Sequence, residues 1–93
     1  MDNVEALGML REHLCGHRQR TYRDLVGLVG TRAVAELGGP SGAVYQIEVA
    51  VHWDHRPGGA IRVLGAVDDG GWRALVPVTD DFILAPDGTF TGK

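Results

Sequence analysis

The sequence predicts an α+β domain in which N-terminal helices pack on one face of a four-stranded antiparallel meander, in two layers. Three observations carry this reading. Residues Tyr45-Gln46-Ile47-Glu48-Val49-Ala50-Val51-His52-Trp53 alternate large apolar with small or polar side chains, the period of a half-buried strand. Before residue 38, apolar residues instead recur at helical spacing. Between the two regimes lies Gly38-Gly39-Pro40-Ser41-Gly42, a strong breaker.

Asp2 or Asn3 caps the first predicted helix, and Asp2 with Glu5 reads as a capping box. Val4, Leu7, Leu10 and Leu14 form its apolar stripe, and Gly16 is its expected stop. Thr21 and Asp24 signal a second helix start. Tyr22, Leu25, Val29, Ala33 and Leu37 then follow a helical face as far as Gly38. Gly27 and Gly30 each cost about 1 kcal/mol in a helix relative to Ala, and Thr31 is placed to recap, so a break is expected near Gly30.

Strand one follows, then the loop Asp54-His55-Arg56-Pro57-Gly58-Gly59. Ala60 to Asp68 is the second strand. Asp69-Gly70 is read as a two-residue type I′ turn. That turn pairs Val67 with Trp72, Val63 with Val76 and Ile61 with Val78, apolar against apolar. Thr79-Asp80-Asp81 is the next expected turn, leading to a last strand through Phe82 and Leu84 that closes at Pro86-Asp87-Gly88. The 93 residues are thus read as one domain. Its helical part is 1–38, its meander 43–90, and its tail 89–93 frays or adds a short strand.

Composition narrows the function. Net charge is −3, which excludes a global electrostatic footprint for nucleic acid or an anionic membrane. Residues 1–42 carry five Arg against five acids, and 43–93 carry three Arg and one Lys against seven acids, so the deficit lies wholly in the second half. The single cysteine, Cys15, allows no internal disulfide. The N-terminus has neither a basic start nor a long apolar run, so a signal peptide is not expected and a cytoplasmic location is. No Walker loop, Cys-x-x-Cys, His-Glu-x-x-His or nucleophile-elbow pattern occurs. No cofactor is expected.

Four groups of residues remain as candidates. His13 and His17 share the i,i+4 spacing of zinc ligands, with Cys15 between them; they are read as surface histidines near a helix end rather than a metal site. His52, Asp54 and His55 gather around Trp53, with Arg62 nearby. Asp68, Asp69, Asp80, Asp81 and Asp87 are read as turn-forming carboxylates. His17-Arg18-Gln19-Arg20 with Arg23 is a short basic cluster, too small for nucleic acid. The expected register sets Leu64 opposite Leu75 on the sheet face away from the helices, with Ile83 beside Pro77, framed by Glu48, Arg62 and Arg73. An apolar patch rimmed by charge is a plausible partner surface.

The run Ile47-Glu48-Val49 to Trp53-Asp54, with Pro57-Gly58-Gly59, Arg62-Val63, Asp68-Asp69-Gly70-Gly71-Trp72-Arg73, Asp81-Phe82-Ile83 and Pro86-Asp87-Gly88, resembles a small uncharacterised family of stand-alone bacterial α+β domains. The resemblance covers the second half of the chain and implies a compact α+β fold without assigning catalytic residues.

The expectation is a non-enzymatic interaction domain that meets a protein partner or a second copy of itself. It would use the outer sheet face, through Glu48, His52, Arg62, Leu64, Arg73 and Leu75, or the edge of the first strand. The alternative is a small ligand binder or enzyme with its site around His52, Asp54, His55 and Arg62. No metal, nucleic acid or membrane is expected in either case.

Overall fold

The structure is a computed structural model that describes residues 2–70 and 77–91. Helix α1 (Asn3–Arg18) starts where Asp2 Oδ1 accepts the backbone N–H of Glu5 at 3.0 Å. Helix α2 (Tyr22–Val26) starts where Thr21 Oγ1 accepts the N–H of Asp24 at 3.1 Å. The chain turns at Gly30 and enters five strands: β1 (Arg32–Gly38), β2 (Val44–Trp53), β3 (Ile61–Asp68), β4 (Val78–Leu84) and β5 (Phe90–Thr91). They form one antiparallel sheet in chain order.

Period-two alternation decides which sheet face is buried. Tyr45, Ile47, Val49 and Val51 of β2, Ile61, Val63 and Val67 of β3, and Phe82 and Leu84 of β4 are all buried. Ala6, Leu10 and Leu14 of α1 close over them at four-residue spacing, and Leu25 of α2 joins the cluster. Burying each large aliphatic side chain contributes about 1.5–3 kcal/mol. Gly65 falls between Val63 and Val67 on the same face, and a Cβ there would lie 2.6 Å from Leu10 Cδ1 and 3.2 Å from both Leu14 methyls. The missing side chain lets α1 settle over β3 and β4. At the far end of α1, Arg18 Cζ lies 4.7 Å from the Phe82 ring centroid and 5.5 Å from that of Phe90. This cation–π contact ties short β5 to the helix.

The α+β class and the antiparallel sheet agree with the sequence reading, but the described residues form five strands rather than four. Residues 32–38, expected to finish the helical part, are β1. Ala33, Ala35 and Leu37 sit opposite Val49, Ile47 and Tyr45, so pairing with β2 overrides the helix preference of Ala, Glu and Leu. Strand β2 therefore lies inside the sheet, and among the described residues β1 and β5 are its edge strands. Gly16 does not end α1, which runs on through His17 to Arg18.

The partner of β3 is also different. Val67, Val63 and Ile61 pair with Val78, Phe82 and Leu84, so Thr79-Asp80-Asp81 lies within a strand. Asp69-Gly70 does not form a type I′ turn, because among the described residues only glycines have positive φ and that turn requires it at both centres. Instead Asp68 Oδ1 accepts the N–H of Gly70 at 2.8 Å, an Asx-type turn, with Gly70 at φ 82°. Trp72, expected in the core, lies outside the described residues; Trp53 is half-buried.

Overpacking the helix seat tests this account. Gly65→Val should lower stability by about 1–3 kcal/mol in urea denaturation, although valine favours strands. Leu10→Ala in the same chain should recover part of that loss, giving a measurable coupling in a double-mutant cycle.

Candidate functional site

On the outer face the structure gathers part of what the sequence singled out. Arg62 on β3 donates from Nε to Asp54 Oδ1 at 3.0 Å, with Nη2 2.9 Å from the same oxygen. Its Nη1 meets Asp81 Oδ2 on β4. His55 Nε2 lies 3.2 Å from the other oxygen of Asp54. His52 sits opposite Arg62 in the β2–β3 register and is exposed. The Arg62 guanidinium is held charged, its pKa raised first by the hydrogen bond to Asp54 and then by the negative charges of Asp54 and Asp81.

Chemically, this group is a brace. Arg62 is occupied by two carboxylates and does not offer an open anion receptor. A base at Asp54 would have to give up its strongest partner. The cluster joins the end of β2 to β3 and β4. Asp81 is the member that the sequence reading missed, because it was placed in a turn; with Phe82 and Leu84 facing the core, alternation puts Asp81 beside Arg62 on the outer side.

The other predicted outer-face residues are dispersed. Glu48 pairs with Arg32 of β1 at 3.2 Å. Leu64 is 37% exposed and stands between Ala50 and Asp81, not opposite another leucine. Ile83 faces Arg62 and Thr91 rather than Pro77. Arg73 and Leu75 lie outside the described residues. The expected Leu64–Leu75 patch therefore has no support in the register of β3, whose strand partner is β4. His13 and His17 on α1 meet with ring centroids 5.8 Å apart and planes tilted by 50°, and Cys15 is exposed and accepts from Gln19 Nε2 at 3.7 Å.

The opposite side of the molecule carries features that the sequence reading passed over. Glu5 does not close a capping box. Its Oε1 accepts from Ser41 Oγ and from Tyr45 OH, each at 2.7 Å, and its Oε2 accepts from Ser41 N at 3.2 Å. These bonds pin the start of α1 to the β1–β2 connection. They hold the Glu5 carboxyl below its ordinary pKa, Ser41 contributing most, and they push Tyr45 up to about 12.

Beside this hub, a cleft of about 450 Å³ opens between α1 and the end of β1, lined by Met9, Glu12, His13, Gly16, Leu37 and Gly38. A second of about 630 Å³ continues it past Glu5, Gly8 and Pro40. The cleft exists because α1 sits over β3 and β4 and leaves the β1 side of the sheet uncovered.

The free edge of β1 runs alongside. Gly39 N–H donates to Ala43 O at 2.7 Å and Val51 N–H to Thr31 O at 3.2 Å, so odd positions of this strand bond to β2. An antiparallel ladder alternates, and the N–H and C=O groups of Arg32, Val34, Glu36 and Gly38 point outward. Among the described residues no strand pairs with that side. Val34 is 64% exposed.

Compared with protein-family models, curated proteins and solved structures, the chain matches none. Geometry alone carries the functional reading from here. Among the described residues, no helix is long and apolar enough to cross a membrane.

The Glu5–Tyr45 bond makes stability depend on pH at both ends. Tyr45 favours its protonated form in the fold, so its contribution is complete below pH 10 and is lost as pH rises toward about 12. Glu5 has the opposite sign: its contribution holds above the ordinary carboxylate range and fades as pH falls through its lowered value. Thermal melts between pH 8 and 11 should show a decline in wild type that is smaller in Tyr45→Phe and in Glu5→Gln. An equal alkaline decline in both variants would contradict the bond.

Proposed function

We propose that this chain is a non-enzymatic interaction domain, two-layered with α1 on one face, that docks an extended segment along the free edge of β1. The observation that carries this reading is the seven-residue edge with outward backbone groups at Arg32, Val34, Glu36 and Gly38. An added strand takes its affinity from those main-chain groups and its specificity from pockets for alternate side chains. The adjoining cleft, lined by the apolar Met9 and Leu37 together with Glu12 and His13, is placed to receive such side chains.

The character of the edge supports the reading. Sheet edges in monomers are commonly blunted by lysine, proline, bulges or inward-pointing charge. Residues 32–38 contain no lysine or proline, and the side chains on the core side are Ala33, Ala35 and Leu37. The opposite edge strand, β5, is only two residues long.

Val34→Pro separates edge docking from folding. The N–H lost is one that points away from β2, so the sheet keeps its ladder and stability should change by no more than about 1 kcal/mol. Extended peptides selected against wild type from a displayed library should bind Val34→Pro at least tenfold more weakly. Equal binding to both proteins, or no selectable peptide, would overturn the reading.

A further inference from the structure

We propose that the strand docked on β1 is β1 of a second copy of this chain, antiparallel across a two-fold axis at Val34. This rests on the edge reading above and adds the partner and its register. Only even-numbered positions carry backbone groups toward the edge, so a symmetric ladder must pair even with even residues. Three such registers keep most of the strand paired. Centred on Ala33, Arg32 faces Val34 and Glu36 faces Gly30. Centred on Ala35, Arg32 faces Gly38 and Val34 faces Glu36. Centred on Val34, each Arg32 faces the other copy's Glu36, and the two Val34 side chains meet at the axis.

The last register alone satisfies both charges and sets the exposed Val34 against its counterpart. Opposite charges directly across a ladder are favourable and like charges are not. On the core side the same register sets Ala33 against Ala35 and Thr31 against Leu37, so no charge is buried there. Arg32 already reaches Glu48 at 3.2 Å within its own chain, and its guanidinium has further donors for Glu36 of the second copy. The two sheets join into one continuous sheet whose remaining edges are the short β5 strands.

Charge exchange tests the register. Wild type should run as a dimer in light-scattering chromatography. Glu36→Arg sets Arg against Arg twice and Arg32→Glu sets Glu against Glu twice, so each variant alone should weaken the dimer about tenfold or more. Mixed in equal amounts, the two variants are complementary at both pairs and should form a heterodimer of wild-type strength. Val34→Pro should be a folded monomer, as judged by its circular dichroism melt.

A monomeric wild type at every concentration would overturn the second-copy proposal, and the edge reading would then stand or fall on Val34-dependent binding of displayed peptides. A dimer that survives in Val34→Pro would place association elsewhere and overturn the second-copy proposal, and the edge reading would again rest on the displayed peptides. A dimer lost in Val34→Pro but unaffected by the charge exchanges would keep the edge and refute this register.

Discussion

The seating of Leu10 and Leu14 over Gly65 is the constraint from which the rest of the structure follows. A side chain at 65 would hold the helix away from the sheet, and the core would lose contact along its length. With α1 drawn over β3 and β4, its other flank cannot also cover β1. The core is completed by Leu25 of the short second helix and by the half-buried Leu28 and Val29 that follow it. What remains uncovered is a strip between α1 and β1, and that strip is the cleft. Packing at one glycine thus leaves open the surface where partners are proposed to dock.

Two polar clusters hold this frame, and they act at opposite ends of β2. Glu5 fastens the helix start to Ser41 and Tyr45, so the β1–β2 connection cannot move without breaking hydrogen bonds to a charged group, the stronger kind. Arg62 braces the other end between Asp54 and Asp81. With a third of its side chain exposed, the Arg62 brace is worth only modest energy, and its effect is mainly to order the loop and keep the outer face hydrophilic. Among the described residues, a sheet face spread with Arg32–Glu48 and Arg62–Asp81 pairs does not present a continuous apolar surface. The proposed docking site is therefore placed at the edge and not on the face.

Legibility in the sequence divides along physical lines. Alternation from Tyr45 to Trp53 specified which residues of β2 are buried, since period two leaves no other solution once one face is dry. The same parity correctly put Leu64 and Arg62 on the outside. Register was another matter. Val67, Val63 and Ile61 meet apolar partners whether β3 pairs with 72–78 or with 78–84, because a slip of six residues preserves the face. Apolar matching was therefore silent on the choice, and Asp69-Gly70 suggested the wrong one. Strand β1 was hidden for a different reason: Ala, Glu and Leu favour helices, and only the partner edge of β2 overrules them. Its period-two pattern, with Ala33, Ala35 and Leu37 on one side, was the available signal. The hub at Glu5 had none, since Ser41 and Tyr45 lie 36 and 40 residues away in the chain.

Strand β1 is bonded on one side and buries little beyond Leu37, so it belongs to the part of a sheet that opens most readily. In the proposed pairing, a strand docked on the outer side of β1 supplies a second ladder and orders β1. Order and association are then linked, and the apparent stability of β1 rises with the concentration of its partner. An edge of this kind would also accept unrelated strands, because backbone groups carry no sequence information. Arg32 and Glu36 supply the discrimination. They stand on the same face, two positions either side of Val34, and penalise any incoming strand that presents the wrong sign at either place. Reversal of direction is what makes the chain complementary to itself: read antiparallel, Arg-x-Val-x-Glu presents Glu to Arg and Arg to Glu. A parallel copy would set like against like, so in the proposed dimer the same two charges that favour a second chain also fix its orientation.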